Sequence, residues 1–189
     1  SGDNTSTVQF LGMDGDGSQE TAVTFFRVVG AEMPIRIYFY RLQEDESYEV
    51  SNIVEGDGTA VYAIHYVDLD GYVDPETGKT RQEVVVSWQM STDVYALGAY
   101  SLSSLQATNM LTTAYQGYEL IDLDWDGLME LAVCHLDQER QSNYVELYDW
   151  DEGEMVSVTQ APLSSGISAL RQIQSNFLTG MIPALYIAS

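Results

Sequence analysis

Apolar residues in this chain come in short runs separated by turn residues. Thr21-Ala-Val-Thr-Phe-Phe-Arg-Val28, Ile35-Arg-Ile-Tyr-Phe-Tyr40 and Tyr48-Glu-Val-Ser-Asn-Ile53 are the first of them. Thr59-Ala-Val-Tyr-Ala-Ile-His-Tyr-Val67, Glu83-Val-Val-Val-Ser-Trp88 and Tyr118-Glu-Leu-Ile121 follow. Glu130-Leu-Ala-Val-Cys-His135, Tyr144-Val-Glu-Leu-Tyr148, Met155-Val-Ser-Val158 and Ala184-Leu-Tyr-Ile187 complete the set. Runs of this length, rich in β-branched and aromatic residues and bounded by Gly, Asp and Ser, predict β-strands. Thr7–Leu11 reads as one more strand at the start. Only Ser101–Leu111 and Ser165–Gln174 read as places for a helical turn, so the pattern predicts an all-β protein.

The runs recur with a period. Leu11-Gly-Met-Asp-Gly-Asp-Gly17, Val67-Asp-Leu-Asp-Gly71 and Ile121-Asp-Leu-Asp-Trp-Asp-Gly127 resemble one another, and Phe177-Leu-Thr-Gly180 is a weaker fourth copy. Their glycines at 17, 71, 127 and 180 are spaced by 54, 56 and 53 residues. The second copy carries an insertion between glycine and strand, with the turn-like Asp74-Pro75-Glu76-Thr77-Gly78-Lys79. About four short strands per period is the pattern of a four-stranded β-propeller blade, and a β-sandwich is the competing architecture. Repeats begin near 12, 66, 120 and 174, within one propeller-like domain over 7–189 that follows a polar tether at 1–6. The 189 residues amount to about 3.5 blades, fewer than the 4–8 of closed propellers. The expectation is therefore an incomplete propeller that is part of a larger one, with two copies completing each other by self-association through open blade edges, or edges covered locally, as the alternatives.

The Asp-rich copies carry the candidate chemistry. Asp122-x-Asp124-x-Asp126-Gly127-x-x-Glu130 aims alternate carboxylates at one centre, with a glycine for the sharp turn, and hard oxygen donors suit calcium. It starts like an EF-hand loop, but position twelve is Val133 and the flanks are strands, so an EF-hand is rejected. The pattern Asp-x-Asp-x-Asp-Gly-x-x-Glu-Leu, opening a strand and recurring at blade spacing, resembles the FG-GAP/VCBS-type propeller repeats found in integrin-like propellers and many exported bacterial proteins. The resemblance is specific only at these loop-plus-strand segments. It implies propeller blades with calcium-holding loops, in which Asp122, Asp124, Asp126 and Glu130 supply side-chain ligands and Leu128 a backbone carbonyl. The first copy keeps Asp14, Asp16 and Glu20 but has Gly12 in place of the first carboxylate, which makes a weaker candidate. The second keeps Asp68 and Asp70, with Glu83 displaced by the insertion and Asp74 or Glu76 as its substitutes. The fourth has Ser175, Phe177, Thr179 and Pro183 at the matching positions and is expected to hold no metal.

Composition narrows the partners. Against 29 Asp and Glu stand 7 Lys and Arg, a net charge of −22. That charge argues against nucleic acid and anionic membrane surfaces, which need a basic face. An apolar content of 45% excludes a disordered acidic tail. No apolar run approaches the roughly 18 residues of a membrane span. Cys134 is the sole cysteine, so there is no intramolecular disulfide, and it reads as a small buried apolar residue. The polar opening Ser1–Thr7 fits a trimmed end, and equally the mature linker of an exported lipoprotein that has lost its anchor cysteine. No phosphate-binding loop, dinucleotide loop or nucleophile elbow occurs, and His65 and His135 read as structural. Trp125, inside the third loop, is expected to be exposed, whereas most other Trp and Tyr residues are expected to pack between sheets. These readings converge on a non-enzymatic, extracellular or cell-surface module that binds or scaffolds a protein or glycan and holds structural calcium. The alternative is a carbohydrate-active or other hydrolytic propeller that uses surface carboxylates. A cleft with two carboxylates flanked by Trp or Tyr would favour that alternative.

Overall fold

The structure, a computed structural model, describes residues 8–13, 20–137, 142–163, 169–173 and 184–188. Among these residues there are fourteen strands and no helix. They are β1 (Gln9–Leu11), β2 (Thr21–Arg27), β3 (Ile35–Leu42), β4 (Tyr48–Gly56), β5 (Ala60–Val67), β6 (Glu83–Ser91) and β7 (Val94–Ser101). Then follow β8 (Thr108–Tyr115), β9 (Gly117–Ile121), β10 (Glu130–Asp137), β11 (Ser142–Asp151), β12 (Glu154–Pro162), β13 (Ala169–Ile173) and β14 (Ala184–Ala188). Neighbours in sequence pair in space. The strands form four-stranded antiparallel sheets β1-β2-β3-β4, β5-β6-β7-β8 and β9-β10-β11-β12, and a β13-β14 pair. Sheets of this kind build both propellers and sandwiches. No helix among the described residues is long and apolar enough to cross a membrane.

The chain divides into two compact units, residues 1–113 and 114–189. In the first, period-two alternation sets the faces of β3. Ile35, Ile37 and Phe39 are buried, while Arg36, Tyr38 and Tyr40 are less so. The second strand of the next sheet is buried on both faces from Glu83 to Trp88, which is why that stretch reads as a continuous apolar run. One core joins the two sheets, with Ile37, Phe39 and Val54 against Val84, Val86 and Trp88. The Trp88 indole N–H donates to the Tyr100 hydroxyl at 3.1 Å, so the largest buried side chain has its polar atom satisfied. A side chain at Gly56 would run into the Trp88 ring.

In the second unit the matching strand is β10, buried from Glu130 to Cys134. Ile121, Ala132, Cys134 and Val145 form its apolar cluster. The opposite face of the same sheet carries the fully buried Leu131 and Val133, and beyond them His135 stacked on Tyr144 at 4.9 Å.

The expected helical turn over Ser101–Leu111 is not found. The Asn52 amide donates to the carbonyls of Leu102 and Ser104, and Ile53 exchanges backbone hydrogen bonds with Leu105 and Ala107. The edge of β4 thus takes the backbone groups that a helical turn would need, and the chain then extends into β8. The other expected turn, Ser165–Gln174, is the strand β13 over 169–173, and its remaining residues lie outside the described set.

Candidate metal centre

In each of the three four-stranded sheets, an Asp-rich loop joins the first strand to the second. Each second strand starts at or just after a glutamate that reaches back to the loop. Glu20 accepts the N–H of Met13 at 3.0 Å, Glu83 that of Leu69 at 3.0 Å, and Glu130 that of Leu123 at 2.6 Å. The shared contact pins the loop to the start of the strand and identifies the three glutamates as one position.

The third loop, 122–129, joins β9 to β10 and gathers all four of its predicted carboxylates. Asp122, Asp124, Asp126 and Glu130 each offer an oxygen, and these atoms lie within 4.8 Å of one another. Local turns shape the loop. Asp124 Oδ1 accepts the N–H of Asp126 at 3.2 Å, and Asp126 Oδ1 accepts the N–H of Leu128 at 2.8 Å. Asp122 Oδ1 is buried and has no hydrogen-bond partner among the described residues. An unpaired buried carboxylate oxygen is costly, and here it belongs to a cluster of acids. Burial, reinforced by Asp124, Asp149 and Asp126 and opposed by the Leu123 N–H, pushes Glu130 up to about 7. The donor set is all oxygen and converges, which fits a hard divalent cation such as calcium. Trp125 is 62% exposed, as its place in the loop suggests, and its φ is +68°. Bulky side chains rarely take that left-handed conformation.

The second loop corrects the expectation for Glu83. The inserted residues fold into a small hairpin, closed by a Val73–Thr80 bridge and a hydrogen bond from Asp74 N to the Lys79 carbonyl. Its return arm brings Glu83 back to loop position, so Asp68, Asp70 and Glu83 each offer an oxygen within 4.8 Å of the others. Neither expected substitute joins that cluster. Asp74 instead caps the hairpin turn, accepting the N–H groups of Glu76 at 2.8 Å and Thr77 at 2.9 Å. Sequence reasoning also missed Arg81, whose Nη2 lies 3.0 Å from Asp70 Oδ2 and whose Nε lies 3.4 Å from Glu83 Oε1. Glu83 is fully buried, and burial pushes it up to about 7. The Leu69 N–H opposes that rise, Asp70 adds to it, and Arg81 pulls it down. The signal for Glu83 was available in Glu83-Val-Val-Val, which matches Glu130-Leu-Ala-Val once the copies are aligned on their strands rather than their glycines.

In the first loop, Glu20 holds Met13 as described, while Asp14 and Asp16 lie outside the described residues. The fourth copy, at 174–180, lies outside them as well.

A cleft of about 630 Å³ in the first unit is lined by Glu20, Asp74 and Tyr72 among others. Glu20 and Asp74 are both engaged as backbone acceptors, and the Thr77 and Glu76 N–H groups hold Asp74 below its ordinary value. In the second unit, Glu146 Oε2 accepts the Tyr148 hydroxyl at 2.7 Å and lies 3.3 Å from His135 Nε2, while Gln160 donates to Oε1 at 2.6 Å. Burial lowers the His135 pKa, against the pull of Glu146 and a hydrogen bond with the Ala114 backbone. The Cys134 thiol, fully buried, is pushed up to about 11 by burial, so it is a poor nucleophile.

Comparison with family models, with curated proteins and with solved structures finds no match.

Proposed function

We propose that the protein is a non-enzymatic, exported β-propeller-type module of the FG-GAP/VCBS kind, which binds or scaffolds a protein or glycan and carries structural calcium in its third Asp-rich loop. The observation that carries this reading is the third loop itself. Four carboxylates converge there, and one buried oxygen, Asp122 Oδ1, lacks any hydrogen-bond partner among the described residues. Asp122, Asp124, Asp126 and Glu130 would hold the ion together with the Leu128 carbonyl. Bound calcium would neutralise their mutual repulsion and fix the start of β10.

The propeller reading draws support from the repetition. Three consecutive four-stranded sheets each place the same glutamate contact between first and second strands. The non-enzymatic reading draws support from the acids of the cleft, which are committed as turn caps. Trp125 offers an exposed aromatic face beside the loop, of the kind that seats on a protein or sugar.

Thermal melting tests the metal reading. Millimolar calcium is expected to raise the melting temperature, with a stabilisation of about 2.7 kcal/mol once free calcium exceeds Kd a hundredfold. Asp124→Ala is expected to abolish the rise. A wild-type melt indifferent to millimolar calcium would refute the reading.

A further inference from the structure

The second loop differs from the third in holding a guanidinium among its carboxylates. Every oxygen of the half-buried Asp70 and the buried Glu83 already faces a proton donor. Asp70 Oδ1 accepts the Tyr72 N–H at 2.8 Å and its Oδ2 faces Arg81 Nη2 at 3.0 Å. Glu83 Oε2 accepts the Leu69 N–H at 3.0 Å and its Oε1 faces Arg81 Nε at 3.4 Å. The guanidinium therefore bridges the two carboxylates through different nitrogens, a geometry that suits its planar fork. Its flat side is covered too, because the Tyr72 ring centroid lies 4.3 Å from Arg81 Cζ. Among the described residues the third loop has no such group. The residue two before Glu83 is Arg81, and the residue two before Glu130 is Leu128.

We propose that Arg81 is the resident cation of the second Asp-rich loop, and that this loop is therefore held together without a metal ion and takes none. The insertion is the device that delivers it. The hairpin 72–81 sets Tyr72 at one foot and Arg81 at the other, with the Arg81 N–H donating to the Tyr72 carbonyl at 3.3 Å. One excursion of the chain thus supplies the charge, its aromatic cover and the return of Glu83. A calcium ion needs about 6–8 oxygens at about 2.3–2.6 Å. Here it would have to expel a guanidinium that occupies Asp70 and Glu83 at once. The chain has only seven Lys and Arg in all, and one of them is set inside an acidic loop. Two copies of one loop thus use two solutions to the same repulsion, an internal cation and an external one. The assignment of Arg81 rests on its own contacts, and it borrows from the proposed calcium site only the comparison.

The test counts calcium ions bound per chain by equilibrium dialysis at millimolar calcium, with folding checked by circular dichroism. Asp70→Asn is expected to leave the wild-type count unchanged, and a count lower by one would overturn the proposal. Arg81→Met is expected to bind one ion more than wild type and to lose it again when combined with Asp70→Asn. A folded Arg81→Met protein with the wild-type count would also overturn it. If Arg81→Met fails to fold, Arg81→Lys carries the test. Its retained charge is expected to keep the wild-type count, and a gained ion contradicts the proposal. Failure of the third-loop reading shows elsewhere, as an Asp124→Ala count equal to wild type.

Discussion

The second and third loops begin alike, as Asp68-Leu-Asp70 and Asp122-Leu-Asp124, and then diverge. Both place a left-handed residue next, Gly71 at φ +63° and Trp125 at φ +68°. Both end on a buried glutamate that accepts the N–H of the loop's leucine. Between these fixed points the second loop inserts a hairpin and gains Arg81, while the third goes directly to its strand with a third aspartate and no cation among the described residues. The element common to both is therefore the glutamate-to-leucine pin, and what varies around it is the charge, with Arg81 set among the acids of the second loop. It also shows that aligning the copies on Gly71 and Gly127 is off by two residues. The structural equivalent of Gly71 is Trp125.

The largest expected break in this comparison is at Arg81. In EDTA, Arg81→Met leaves Asp70 and the fully buried Glu83 without their cation and is expected to cost on the order of 3 kcal/mol in chemical denaturation. Asp124→Ala under the same conditions removes one of four mutually repelling acids and is expected to change stability by less than about 1 kcal/mol. Equal losses in the two variants would mean that the loops do not differ as described.

A second measurement separates the loops from a titrating neighbour. His135 lies on β10, the strand that Glu130 opens, and its pKa is lowered by burial. A base with a lowered folded pKa takes up its proton more readily when unfolded, so its contribution to stability is lost as pH falls below about 6.5. Glu83 and Glu130 act in the opposite sense. Each is raised to about 7, so each favours folding at low pH and loses that contribution as pH rises through about 7. The melting temperature of His135→Gln, measured in EDTA, is expected to fall less than that of wild type between pH 6.5 and 5.5. A parallel fall in both proteins would remove His135 from the account.

The smallest effect is expected at the left-handed position. Trp125→Gly relieves backbone strain while removing a largely exposed side chain, and is expected to stabilise the metal-free protein by up to about 1 kcal/mol. Gly71→Ala introduces that strain and is expected to destabilise by about the same amount. A loss of stability in Trp125→Gly would assign its side chain a packing role.

Much of this was legible in the chain. The runs that open at Thr21, Ile35, Glu83 and Glu130 are strands because β-branched and aromatic residues dominate them, and the third loop announced its four carboxylates by spacing alone. Three strands were missed, and each for a physical reason. β7 contains Ala96, Gly98 and Ala99, poor strand formers that are suited to the room taken by Tyr100 and Trp88. β8 and β13 lie where polar, small-residue sequence suggested helical turns, and strand pairing overrode that local preference. Arg81 was invisible for a different reason. A guanidinium that folds back across a hairpin onto Asp70 follows from the insertion's tertiary path, and spacing along the chain does not encode it. Glu83 was hidden for a related reason, since the hairpin separates it along the chain from the aspartates that it joins in space.

The most direct test is a crystal structure of the protein grown in millimolar calcium. An ion is expected about 2.3–2.6 Å from oxygens of Asp122, Asp124, Asp126 and Glu130, with the Arg81 guanidinium still bridging Asp70 and Glu83 and no ion between them. An ion seated between Asp70 and Glu83, or a third loop without one at that concentration, would contradict it.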